Sequence, residues 1–208
     1  GDTEWTQNGA GRWINYKYGF GVVDAQAAVN AAVAKIGQTP RAPLVNENTQ
    51  TEQVSTLIPD FAATGVTATV DSTSALSLEH VELLLTATHA RRGDLRVTLT
   101  SPDGTQSVMA EERTVTTGQN YAQYTFTTPR FWGEESIGTW TVQVQDLLNG
   151  VTGTFNNFQL KFYGTELPLA LAASPRTFSE NAGVMASTGS VSRPASADLS
   201  VPLTVNLT

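Results

Sequence analysis

The chain has 208 residues, 40% of them hydrophobic and 15% charged, a net charge of −7 and no cysteine. That composition allows a packed core and excludes disulfides, zinc–thiolate sites and thiol catalysis, although it does not by itself assign a compartment. Residues 39–168 hold fourteen acidic against seven basic residues, which disfavours nucleic acid and anionic lipid as partners, and no run approaches the ~18 apolar residues of a membrane helix.

Residues 1–38 form the first segment. Its second half, from Val22 to Ile36, reads as an alanine-rich helix capped by Asp24, with Ala25, Ala28, Val29, Ala32, Val33 and Ile36 on one face. Gly37, Pro40 and Pro43 end it. A single helix behind the coil Asn8-Gly9-Ala10-Gly11-Arg12-Trp13 cannot bury a core of its own, so the segment is expected to finish a larger unit. The first residues lack a basic start followed by an apolar run, and any export signal is expected upstream.

Residues 39–168 change to a period of two. Val66, Ala68 and Val70, then Val81, Leu83, Leu85 and Ala87, then Leu95, Val97 and Leu99 alternate with mostly polar neighbours. Tyr124 and Phe126, Trp140, Val142 and Val144, and Phe158, Leu160 and Phe162 repeat the rule. Such alternation marks half-buried strands. The breaks carry turn residues: Arg92-Gly93-Asp94, Pro102-Asp103-Gly104, Gly133, Gly138 and Asn149-Gly150. Short strands with no helix between them predict a mainly β protein with an antiparallel sandwich. Phe126, Trp140, Phe158 and Phe162 are expected in its core, and Phe131 and Trp132 at its surface.

Residues 169–208 are expected to comprise an alanine-rich linker over 169–175, then two candidate strands, Ser187–Ser192 and Leu199–Leu207. A hairpin of that size is marginal alone in water, and the segment reads as cut short.

The blocks Thr88-His89-Ala90-Arg91-Arg92-Gly93-Asp94-Leu95, Ser101-Pro102-Asp103-Gly104-Thr105, Trp132-Gly133-Glu134, Gly138-Thr139-Trp140 and Leu160–Thr165 stand in an order that resembles the P domain of proprotein convertases. The resemblance implies a jelly-roll β-sandwich that follows a subtilisin-type catalytic domain and stabilises it. Asn15-Tyr16-Lys17-Tyr18-Gly19-Phe20-Gly21 through Ala25 resembles the last strand and helix of that catalytic domain, and Ser179-Glu180-Asn181-Ala182-Gly183 resembles the start of a Calx-β domain. The implied protein is a secreted, bacterial-type serine endopeptidase whose own catalytic domain is the partner.

The family's catalytic motifs, histidine before Gly-Thr and serine after Gly-Thr, do not occur here. The only histidines are His80 and His89. This stretch is therefore expected to be non-catalytic. Structural or interface roles are expected for Arg91, Arg92, Gly93, Asp94, Trp132 and Glu134. Gly93 is expected to permit a tight turn, with Asp94 accepting backbone or arginine hydrogen bonds; adhesion through Arg92-Gly93-Asp94 is the weaker reading. The contact with the upstream domain is expected to be mainly apolar, with Arg91 and Arg92 pairing acids. The carboxylates Asp94, Asp103, Glu111, Glu112, Glu134, Glu135 and Asp146 are of the type calcium takes, though solvated surface acids explain them as well. The helix face 25–36 is expected to be covered by the sandwich, by residues 169–208 or by a second copy, and the edge strand 199–207 offers another route to self-association. The alternative function is a binding module that targets a protease to a protein or carbohydrate surface.

Overall fold

The computed structural model describes residues 3–36, 42–114, 118–167, 170–174 and 188–192. In chain order a short hairpin, β1 (Thr6–Gln7) and β2 (Trp13–Ile14), precedes the helix α1 (Ala25–Ala34). The strands β3 (Val45–Asn48), β4 (Glu52–Ile58), β5 (Ala62–Ser72), β6 (Leu76–His89), β7 (Leu95–Thr100), β8 (Gln106–Ala110), β9 (Tyr121–Thr128), β10 (Gly138–Asp146) and β11 (Gly153–Glu166) follow. The expected helix and the expected β architecture are both present; within the central segment the only other helical piece described is the 3-10 turn Arg92–Asp94.

Two antiparallel sheets face each other. One runs β5-β10-β7-β8; the other runs β3-β11-β6-β9, with β4 sharing the free edge of β11 beside β3. The alternation drives the layering. Val81, Leu83, Leu85 and Ala87 from β6, Leu95, Val97 and Leu99 from β7, Trp140, Val142 and Val144 from β10, and Phe158, Leu160 and Phe162 from β11 all point inward and are buried. Trp140 lies at the centre, edge-on to Phe131 at 5.0 Å, and its indole N–H donates to the Ser136 carbonyl at 2.8 Å. The largest apolar ring thus leaves no polar atom unpaired in the core.

The structure departs from the expected pattern in four places. Phe131 is fully buried rather than at the surface. Tyr124 is exposed and Phe126 only partly buried, because Gln123 takes a positive φ of 48° and the β6–β9 register slips between Leu85 and Ala87, which puts Tyr121 inward instead. The Ala-rich stretch expected as a linker contains β12 (Ala170–Ser174), paired with β13 (Thr188–Ser192); Ser179–Gly183 and Leu199–Leu207 lie outside the described residues. Finally, no residue of α1 is buried: Val29 and Val33 are 57% and 59% exposed, and Ile36 just past its end is 79% exposed. Asp24 caps the helix as expected, accepting from the Ala27 N–H at 2.9 Å, yet the sandwich does not cover its apolar face.

Candidate functional site

The N-terminal hairpin is sewn to one end of the sandwich. Asn8, 6% exposed, does most of the joining. Its side-chain carbonyl accepts from the Arg12 N–H at 2.9 Å and closes the hairpin loop. Its Nδ2 donates to the carbonyls of Arg130 (3.1 Å) and Trp132 (3.0 Å). An asparagine that accepts once and donates twice is well satisfied, and only one orientation of the hairpin allows it.

The sandwich meets the hairpin with the segment between β9 and β10. The Leu78 N–H donates to the Glu134 carbonyl at 2.8 Å, the Gly133 N–H to the Leu78 carbonyl at 2.7 Å, and the Ser136 N–H to the Leu76 carbonyl at 3.0 Å. Gly133 takes φ +87° at this bend. The bend turns the Glu134 carboxylate toward the hairpin, where Oε1 accepts from the Gly9 N–H at 2.8 Å and from the Thr105 hydroxyl at 2.6 Å. Gly9 is required for the approach, since a Cβ there would run into the Asp103 side chain. Arg130, 7% exposed, adds a second clamp: its Nε donates to the Gln106 carbonyl at 2.6 Å, its Nη2 to the Thr6 hydroxyl at 2.7 Å, and its guanidinium sits 4.2 Å from the Tyr16 ring. The Val108 N–H in turn donates to the Tyr16 hydroxyl at 2.9 Å. Trp132, 38% exposed, is met by the Arg12 guanidinium at 4.3 Å and edge-on by Phe20 at 5.1 Å.

Of the residues singled out from sequence, Trp132 and Glu134 lie in this seam, whereas Arg91, Arg92, Gly93 and Asp94 lie elsewhere. Asn8, Arg130 and Thr105 were not singled out. Arg130 stands alone after Pro129 with no periodic signal, and Asn8 sits in a stretch that reads as coil. The seam is held by polar bonds, and its arginines are Arg130 and Arg12.

Arg91 to Asp94 belong to a second network, in which Gly93 and Asp94 are buried and Arg91 is exposed. Arg91 Nε donates to Asp94 Oδ2 at 2.8 Å and Nη2 to the Asn149 carbonyl at 2.8 Å. Asp94 thus accepts an arginine hydrogen bond, as expected. Gly93 is buried in the 3-10 turn without a positive φ, so no left-handed bend requires it; its carbonyl accepts from the Arg113 N–H at 2.6 Å. With Gly93 and Asp94 buried, the tripeptide is no exposed adhesive tip. The Arg92 guanidinium lies 5.7 Å from the Tyr121 ring and 5.9 Å from that of Tyr124. His89 ends β6 and is fully buried, with Nε2 3.0 Å from Asp146 Oδ2 and Nδ1 2.7 Å from the Arg91 carbonyl.

His89, Asp94 and Asp146 place ligand-type atoms within 4.8 Å of one another, the one such group of three or more among the described residues. Each is already engaged, Asp94 by Arg91 and Asp146 by His89, so a metal would have to displace a guanidinium and a proton. The arrangement is that of an internal charge network tying the ends of β6, β7 and β10 together.

The model of the family described as the proprotein convertase P-domain matches residues 78–162. Proprotein convertase subtilisin/kexin type 6 of Rattus norvegicus is 32% identical over 172 residues, covering 78% of this chain and 18% of that protein. The endoprotease bli of Onchocerca volvulus is 35% identical over 173 residues, covering 79% of this chain and 25% of its own length. Among solved structures, the serine protease of Aeromonas sobria superposes with a TM-score of 0.67 at 25% identity, over 77% of this chain and 33% of the protease. The same protease in complex with the chaperone gives a TM-score of 0.70 at 24% identity, over 78% and 33%. The chain thus spans about a fifth to a quarter of these curated relatives and a third of the solved proteases.

Proposed function

The β-sandwich of this chain is a proprotein convertase P domain, and from that premise we propose that it stabilises a secreted subtilisin/kexin-type serine endopeptidase without taking part in the bond-breaking chemistry. In this reading residues 1–38 are the tail of the catalytic domain, 39–168 the P domain, and 169–208 a linker with the first strands of a Calx-β-like unit.

The seam is the observation that carries it. A tail held by Asn8, Arg130 and Glu134 through buried polar bonds has a fixed orientation, as a stabilising partner needs and a loosely tethered targeting module does not. The relatives' extent supports it as well. A match covering 78% of 208 residues is longer than 39–168, so it reaches into the flanks of the sandwich. The bare apolar face of α1 fits the same reading, because a helix of this kind gains its stability by packing, and its natural cover is the body of the domain it finishes.

The test uses the full-length protease. Removing residues 44–167, or substituting Arg130→Ala, should lower the yield and melting temperature of active enzyme while active sites that survive still label stoichiometrically with a serine-directed fluorophosphonate. An enzyme lacking 44–167 that keeps its melting temperature and turnover but loses adhesion to a polysaccharide or cell surface would replace this reading with the targeting one.

A further inference from the structure

An antiparallel sheet ends in unpaired N–H and C=O groups unless something closes or disrupts its edge, and the edges of this sandwich are treated unequally. β8 is closed by the hairpin, where the Val108 N–H donates to Tyr16 and the Gln106 carbonyl accepts from Arg130. β9 is broken by positive φ at Asn120 and Gln123, with the Arg92 guanidinium near its tyrosine rings. β3 has only four residues, β4 reverses its backbone at Ser55 with φ 49°, and both carry a glutamate.

β5 is the exception. It has 11 residues and, among the described residues, pairs with β10 alone. From Val66 to Ser72 it runs in unbroken register against Val144–Gly138. The bulge at Gly65, and the Gln143 and Gln145 side chains that donate to the Thr64 and Ala63 carbonyls, all lie before that stretch. The stretch itself holds no lysine, arginine or proline, and its one charge, Asp71, accepts from the Thr139 hydroxyl at 2.6 Å. Val66, Thr67, Thr69 and Val70 are strong strand formers. Alternate residues there turn their backbone groups away from β10, and among the described residues nothing bonds to them.

We propose that this edge takes a second copy of itself, with two chains pairing β5 on β5, antiparallel about a two-fold axis at Thr69. The two four-stranded sheets then join into one continuous sheet. Centred on Thr69, the register uses the whole of Val66–Ser72 and stops short of the bulge. It sets Thr69 opposite Thr69, Ala68 opposite Val70 and Thr67 opposite Asp71, twice over by symmetry. The two aspartates therefore avoid each other, and each meets a threonine hydroxyl on the exposed face of the strand. β5 and the hairpin-bearing β8 are opposite edges of one sheet, so the seam does not compete for this surface. A single strand pair buries less than the ~1,200 Å² of a stable complex, so the dimer is expected to be weak.

Sedimentation of the 208-residue chain between about 10 μM and about 1 mM should show a reversible monomer–dimer equilibrium. Thr69→Lys, at an exposed side chain, should weaken it by more than about ten-fold, because it sets two like charges face to face, while circular dichroism stays unchanged. Val33→Asn on α1 should leave it as it was. The chain has no cysteine, so cross-linking can read the register. With glutathione disulfide, Thr69→Cys should give a covalent dimer, and Thr67→Cys should do so only when mixed with Asp71→Cys. A chain that stays monomeric at about 1 mM would overturn the proposal. A dimer that survives Thr69→Lys would do the same, and its loss in Val33→Asn would move the contact to the helix. Self-linking of Thr67→Cys as readily as Thr69→Cys would refute the register and with it the two-fold pairing. None of these outcomes bears on the stabilising role, which is read from melting and yield in the full protease.

Discussion

The first 36 residues contain two neighbouring pieces with opposite relations to the sandwich. From Thr6 to Phe20 the chain is fastened by buried polar bonds and ring contacts; from Val22 to Ile36 it forms a capped helix whose apolar side faces water. The two pieces differ in the chemistry of what they offer. The hairpin presents oriented donors and acceptors that match a polar rim, and the helix presents Val29, Val33 and Ile36, which need a hydrophobic surface the sandwich does not provide. A polar seam fixes orientation, whereas an apolar face would supply affinity only against a surface that the sandwich does not offer.

That contrast can be broken at either piece. Arg130→Ala should have the largest effect, lowering the stability of the chain by about 3 kcal/mol, because it removes both donated hydrogen bonds together with the packing of the guanidinium and leaves the Gln106 carbonyl without its partner. Urea melts followed by tryptophan fluorescence would measure it, and a loss below the scatter of the melts would show that the hairpin is only resting on the sandwich. Asp24→Ala should cost about 1 kcal/mol of helix stability through loss of the cap. It should be visible as lost helical circular dichroism while the sandwich melts unchanged. Val33→Asn should change the melting of this chain by less than about 0.5 kcal/mol, since the side chain is already in water. In the full-length protease the same substitution should destabilise strongly if the catalytic domain covers that face.

Tyr121 offers a gauge that separates the cases. Burial raises its phenol above its ordinary value, with Arg113 and Arg92 pulling the other way. A raised folded value means that the neutral ring favours the fold: this contribution is complete below the unfolded pKa near 10 and is lost as pH rises through the folded one. Ultraviolet titration should therefore show Tyr121 ionising above its ordinary value in the intact chain and in Asp24→Ala. That late step should move earlier in any variant that opens the sandwich.

The strands were legible because burial on one face of a sheet imposes its own period. Val81–Ala87 and Trp140–Val144 point inward as their alternation says. The helix was legible from its cap and its alanines. What escaped has a common cause. The Asn8–Trp132 and His89–Asp146 contacts join residues far apart in sequence, and a polar residue satisfied across such a distance looks the same in sequence as one satisfied by water. The fate of Tyr124 was hidden for a local reason, a single backbone reversal at Gln123 that no side-chain pattern announces. Arg91 meets Asp94 three residues on, a pair within the sandwich that local spacing makes legible.

Strand β11 carries a consequence for the order of events during synthesis. It pairs with β6 along one side and with both β3 and β4 along the other, so that Glu52 lies opposite Phe158 and Leu76 opposite Glu166. Within that sheet β3 and β4 therefore wait for the last strand of the sandwich to leave the ribosome or the export channel, and until then β6 has only β9 beside it. Contacts of such long sequence separation make for slow closure, and the earlier strands must travel with their edges open. A polypeptide halted before Gly153 would hold the β5-β10-β7-β8 sheet and the β6–β9 pair but lack Phe155, Phe158, Leu160 and Phe162, so its core could not shut until that final strand arrives.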